Sequence, residues 1–208
     1  MSSEPNRTER IPLFPLEVVL LPGAPLSLHI FEPRYKEMIR LCLTRRLEFG
    51  IVLQRESQIV TTGCTAEILK LLQRYPDGRM DILTAGRTPF GMEELIDEKA
   101  YYEARVTFLG DEPEEAIPEH RVAALLDRFK EAHAIVHESK PLTPQAGASL
   151  AYHIAGELPL ELEARQALLE LRSEALRQEY LFSYLTHWVP RVRQSQHVKA
   201  KAGGNGHG

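Results

Sequence analysis

The chain has 208 residues, is 43% hydrophobic and carries a formal net charge of −4. That is enough apolar material for one good core or two small ones, at roughly 100–150 residues per domain. The first 112 residues hold 14 basic and 17 acidic side chains, residues 113–188 hold 7 and 12, and only the tail has a basic excess. A nucleic-acid partner is disfavoured, because phosphate binding needs a basic footprint that releases counterions.

The opening MSSEPNRTER mixes charges and has no apolar core, and runs such as VVLLPGAPL are too short and proline-rich to span a bilayer. Neither export nor membrane insertion is expected, and two cysteines, Cys42 and Cys64, make no disulfide framework. A cytoplasmic location is the reading.

Residues 1–10 read as a disordered lead. In IPLFPLEVVLL, Pro12 and Pro15 cannot donate ladder hydrogen bonds, so this segment is expected to start as an edge strand. Pro22-Gly23 suits a tight turn, and in PLSLHI the alternation of Leu26, Leu28 and Ile30 marks a strand with one buried face. The stretch FEPRYKEMIRLCLTRR then changes period: Pro33 fits a first helical turn, and Tyr35, Met38, Ile39, Cys42 and Leu43 form one stripe. Asp77-Gly78, between LLQRYP and RMDILTA, is a hairpin signal. In YYEARVTF the alternation predicts Tyr102, Ala104, Val106 and Phe108 facing inward and Tyr101 facing out.

Near Pro113–Pro118 the period becomes helical. Val122, Leu125, Leu126, Phe129, Ala132, His133 and Val136 form a stripe, and Thr143 with Pro144 reads as the start of a second helix reaching Gly156. Two more helices are expected over 160–188, with Leu168, Leu169, Leu176, Tyr180, Tyr184 and Trp188 inward. Strands followed by helices give an α+β class. The expected division is a β subdomain over 11–112, a helical subdomain over 113–190 and a flexible basic tail over 191–208.

Candidate chemistry is sparse. No G-x-x-x-x-G-K-[ST] loop or G-x-S-x-G elbow occurs, so neither ATP hydrolysis nor serine-hydrolase chemistry is expected. Cys42 and Cys64 sit in apolar patterned segments and read as inert packing thiols. His133 and His137 share a helix face but have no third ligand, so packing is favoured over metal binding; no cofactor is expected. Phe31, Glu32, Pro33, Arg34 and Tyr35 read as a strand-to-helix junction, with ligand contact the alternative. Arg87, Phe90 in the Pro/Gly-punctuated RTPFGM, and Tyr101 read as an exposed aromatic patch suited to an extended peptide.

Segments in chain order carry a resemblance: the leading PLFPL, the LLPG turn, LHIFEPRY, FGIVL at 49–53, then GCTAEI, PDGR and TAGR. They resemble the N-terminal substrate-binding domain family of Lon-type ATP-dependent proteases. The resemblance implies a PUA-like β pseudobarrel of about six or seven strands with one inserted helix, followed by an α-helical bundle. In the helical half, Gln178 stands where the family usually has leucine. It further implies a non-catalytic module binding unfolded or degron-bearing polypeptides, here expected without the ATPase and peptidase and so serving a separate protease. The rival reading is a PUA-like nucleic-acid or nucleotide binder, which the acidic balance disfavours.

Overall fold

A computed structural model describes residues 7–113, 116–137 and 149–204, with side chains through residue 194. The chain divides into two compact units, Met1–Glu112 with Leu160–Arg172 and Pro113–Pro159 with Ser173–Gly208.

The first unit holds β1 (Thr8–Leu16), β2 (Pro25–Ile30), α1 (Pro33–Arg45), β3 (Phe49–Arg55), β4 (Gln58–Arg74), β5 (Met80–Ile96) and β6 (Glu103–Phe108). The sheet order is β2-β5-β4-β3-β1-β6, and β5 also pairs with β6. Hydrogen-bonded neighbours therefore form a closed circuit from which β2 projects. The edge position expected for β1 is corrected: Thr8–Pro12 pair antiparallel with β6 and Leu13–Leu16 pair parallel with β3. Because β1 changes partner midway, each half has one ladder, and the prolines leave bonding capacity unused only on an open side.

Inside the circuit, Ile11, Leu13, Val52, Phe90, Ala104, Val106 and Phe108 form one core cluster. Phe90 lies against two glycines on facing strands. A Cβ added to Gly63 would meet its Cζ at 2.5 Å, and one on Gly50 would meet it at 2.8 Å. Glycine here makes room for a ring, a packing role rather than a conformational one.

The junction into α1 follows local physics. Glu32 is the extended N-cap, Pro33 occupies the first turn, and Tyr35, Met38, Ile39 and Cys42 are buried. Arg46 ends the helix in the left-handed region, its N–H bonding Cys42 O. Between β4 and β5, Gly78 takes φ 81° and its N–H reaches Tyr75 O at 3.0 Å, which closes the hairpin.

The helix α4 (Leu162–Glu170) belongs to this unit, whereas the sequence reading placed 160–172 in the helical half. Gln166 Nε2 donates to Thr62 O at 3.2 Å, Arg55 pairs with Glu163, and Arg172 Nε donates to Gly110 O at 2.8 Å. Helical periodicity shows which face is apolar but not which partner it meets.

The second unit is helical: α2 (Glu119–Val136), α3 (Leu150–Glu157) and α5 (Glu174–Gly204), with α5 packing on both others. Ser149 caps α3, its Oγ accepting Tyr152 N–H at 3.1 Å. The predicted start at Thr143 and Pro144 lies outside the described residues. Two readings are corrected. Leu176 is 52% exposed; Trp188 is inward as expected, and with it α5 turns Leu181, Leu185 and Val189 inward. Residues 191–204, expected as part of a flexible tail, continue α5, since a helix once formed propagates through good helix formers such as Arg, Gln, Lys and Ala.

The inward polar side chains of α5 bond one another and α3. Arg177, fully buried, bonds Glu174 at 3.1 Å and lies over the Tyr152 ring at 4.6 Å. Glu174 Oε1 also accepts Ala151 N–H and Gln178 Nε2, both at 2.9 Å. Gln178 thus stands in a polar network, although its Oε1 has no partner.

Candidate functional site

The patch expected from Arg87, Phe90 and Tyr101 does not form. Phe90 is 0% exposed within the core of the strand circuit. The Pro89-Phe90-Gly91 stretch that read as a loop is continuous β5, with Phe90 opposite both Gly63 and Phe108. Tyr101 is 2% exposed, because it precedes β6 and strand alternation does not extend to it. Its neighbour Tyr102 is the half-buried one. Arg87 is exposed but bound to Glu67, its Nε donating at 2.6 Å.

The FEPRY residues divide. Arg34 Nε donates to Glu32 Oε2 at 2.9 Å and its guanidinium lies 4.6 Å from the Tyr35 ring centre. Tyr35 stacks on Phe14 with centroids 4.0 Å apart. Phe31 turns away, 59% exposed, the largest fraction among the exposed large hydrophobics of the described residues.

Phe31 has an ordered polar neighbour. His29, two residues earlier in β2, stacks on it at 6.0 Å and meets the Tyr75 ring edge-on at 6.0 Å. His29 is in register with Asp81, and its Nδ1 donates to Asp81 Oδ1 at 2.5 Å; Tyr75 OH donates to Oδ2 at 2.7 Å. The His29 bond, then the Tyr75 bond, hold the Asp81 carboxyl below its ordinary range. Asp81 in turn raises Tyr75 through the same bond. Arg79 covers the Tyr75 ring at 5.0 Å.

On the other side of β5, two of the three register shifts of the β4–β5 ladder lie in the C-terminal half of β4, between Ile68 and Lys70 and between Leu71 and Gln73. Each leaves one extra residue, Leu69 or Leu72, and each of these leucines is 49% exposed. The exposure pattern places Leu69 with Lys70 and Leu72 with Gln73 on the outer side, while Ile68 and Leu71 are half-buried. Lys70 opposes Leu83 and Gln73 opposes Asp81, so the leucines share the outer face with the His29–Asp81 pair. This outer face thus carries Leu69 and Leu72 with Lys70 and Gln73 beside them, the His29–Asp81 pair, and Phe31 stacked on His29. Neither bulge had a signal in the sequence; the run Leu69-Lys70-Leu71-Leu72 merely breaks alternation.

The remaining candidates offer no catalytic group. Burial pushes the Cys42 thiol up to about 12, and it pushes Cys64 higher still, so neither supplies thiolate at neutral pH. His133 is buried against Phe129 and lies 4.5 Å from the His137 ring, and His137 Nε2 bonds Glu157 O at 2.8 Å. Among the described residues no group of three His, Cys, Asp or Glu could hold a metal ion, and no helix is long and apolar enough to cross a membrane.

A mixed strand circuit with one inserted helix, followed by further helices, places the chain in the α+β class. Residues 10–187 match the family model described as the ATP-dependent protease La (LON) substrate-binding domain, and the chain belongs to that family. The Lon protease of Escherichia coli K12 is 24% identical over 219 residues, covering 94% of this chain and 27% of that protein. The Lon protease of Parabacteroides distasonis is 30% identical over 112 residues, covering 50% of this chain and 14% of that protein. The chain therefore spans about a quarter or less of these relatives. Among solved structures, the Lon N-terminal domain protein from Xanthomonas campestris superposes with TM-score 0.67 at 25% identity, covering 85% of this chain and 98% of that one. The N-terminal domain of Mycobacterium avium complex Lon protease gives 0.61 at 16% identity, covering 86% and 98%.

Proposed function

We propose that this chain is a non-catalytic polypeptide-binding module of PUA-like pseudobarrel type, holding unfolded or degron-bearing segments in the cytoplasm for a separate protease. The observation that carries the reading is the exposed set Phe31, Leu69 and Leu72 around the His29–Asp81–Tyr75 cluster, in a member of a substrate-binding family. Exposed aliphatic and aromatic side chains beside fixed polar groups suit non-native segments, which present apolar residues that folded proteins bury. The polar cluster keeps Phe31 oriented, so little side-chain entropy is lost on contact.

The test is a binding titration with a permanently unfolded protein, reduced and carboxymethylated α-lactalbumin, repeated between 50 and 200 mM salt. Apolar contact predicts affinity almost independent of salt, and at least a tenfold loss in the triple variant Phe31→Ser, Leu69→Ser, Leu72→Ser. Unchanged affinity in that variant would refute this surface. Steeply salt-dependent binding of a structured RNA without affinity for the unfolded protein would overturn the function.

A further inference from the structure

We infer that the free edge of β2 takes up an extended segment of bound polypeptide as an added strand. The inference rests on the polypeptide-binding reading above and specifies how the chain is gripped.

The sheet ends at β2, which pairs with β5 alone, over an unbroken register from Pro25↔Ala85 to Ile30↔Met80. In an antiparallel ladder every second residue directs its N–H and C=O away from the neighbouring strand. Among the described residues, one hydrogen bond reaches the β2 backbone from outside the ladder, from Thr84 Oγ1 of β5 to Leu26 O at 2.8 Å. The outward groups of β2 are therefore open to a partner.

A second edge in the same unit shows what a guarded one looks like. The β3 ladder stops at Phe49↔Ala66, so among the described residues Glu67–Arg74 of β4 also has β5 as its one strand partner. That stretch contains both bulges, at Leu69 and Leu72, and the cations Lys70 and Arg74. Bulges and lysines on an edge are common devices against strand addition. β2 has neither: PLSLHI contains no Lys, no Arg and no register shift, and its proline stands at the first position.

The dimensions select the occupant. Six residues at about 3.4 Å each make an edge about 20 Å long, and with a sheet about 10 Å thick that is roughly 200 Å² per partner. Stable dimers bury about 800 Å² per partner, so β2 pairing alone does not hold two copies together. It does match one extended segment, whose main chain supplies the same donors and acceptors whatever its sequence. Phe31 and His29, on the outer face at the end of this edge, would touch alternate side chains of the added strand.

The test uses the full chain, uniformly labelled with ¹⁵N, and an eight-residue peptide of alternating valine and threonine. A second peptide has the same side chains with its four central amides N-methylated, which removes ladder donors and crowds the edge. The expected result is at least tenfold weaker binding of the methylated peptide, and amide exchange slowed at least tenfold at alternate positions within Leu26–Ile30 in the unmodified complex. Equal affinity for the two peptides, or protection confined to other elements, would overturn strand addition while leaving polypeptide binding in place. If neither these peptides nor unfolded α-lactalbumin binds, the functional reading falls and the inference with it. Protection of β2 without peptide, together with a doubled mass by light scattering, assigns the edge to a second copy and also overturns the proposal.

Discussion

Replacing Phe90 with alanine separates a core role from a surface role. The ring is 0% exposed and sits against the bare backbones of Gly50 and Gly63. Removing it leaves a cavity on whose glycine side no side chain can swing in, so the structure relaxes poorly. Phe→Ala changes in cores cost about 3–5 kcal/mol, and this geometry argues for about 4. The reverse perturbation, Gly50→Ala, drives a methyl to 2.8 Å from Phe90 Cζ and 3.0 Å from Ile11 Cδ1 and Leu13 Cδ1. Overpacking of that kind costs about 1–3 kcal/mol. All three obstacles are side-chain ends, so Phe90→Leu should relieve part of it, giving a favourable coupling of about 1 kcal/mol in a double-mutant cycle. The assay is urea unfolding followed through backbone amide resonances of β3 and β5, which isolates the first unit. A loss below about 1 kcal/mol in Phe90→Ala, with weakened polypeptide binding, would refute the packing argument and restore Phe90 as a contact residue.

Two further outcomes follow from titratable groups. With Cys42 pushed to about 12 and Cys64 higher, the folded protein should resist a disulfide thiol reagent at pH 8 and release two equivalents only after denaturation; rapid native reaction at either thiol would contradict the burial. Burial alone would raise Glu103, but bonds from Lys99 at 2.9 Å and Arg10 at 2.6 Å outweigh it and hold the carboxyl below its usual range. A carboxylate lowered in the folded state adds stability above its unfolded value of about 4.3, lost as pH falls through the folded value. Glu103→Gln should therefore cost on the order of 1–2 kcal/mol at pH 7 and progressively less as pH falls through the folded value, and a loss that stays the same down the whole acid range would show the ion pairs contribute nothing.

Sequence pattern carried α1 well because two independent cues agree there: Pro33 sets the first turn, and the stripe Tyr35, Met38, Ile39, Cys42 has one period. The alternation of Ala104, Val106 and Phe108 was equally legible, and the error at Tyr101 came from extending it past the first residue of β6. The candidate surface was not legible. Its leucines are exposed by register shifts between β4 and β5, and a register depends on a partner strand that local pattern does not contain. Phe90 failed for a related reason: proline and glycine flank it, and only the ladders on both sides of β5 reveal a strand there. Phe31 was singled out within its motif, yet it stands between β2 and α1, where neither the strand alternation nor the helical stripe that places Tyr35 inward says which way it turns.

The mid-strand change of partner in β1 bears on how the chain is made. Thr8 meets Thr107 across 99 residues of sequence, so the β1–β6 ladder is among the longest closures in the first unit. Bringing ends that far apart together costs about 4 kcal/mol of loop entropy by the logarithmic law. At about 5–20 residues per second, a ribosome needs roughly 5–20 s to deliver β6 after β1 has emerged. During that interval an apolar strand, IPLFPL, waits with half its hydrogen bonds unclaimed. Pro12 and Pro15 then acquire a second purpose: each removes a donor from the waiting strand and makes it a poorer template for a neighbouring nascent chain.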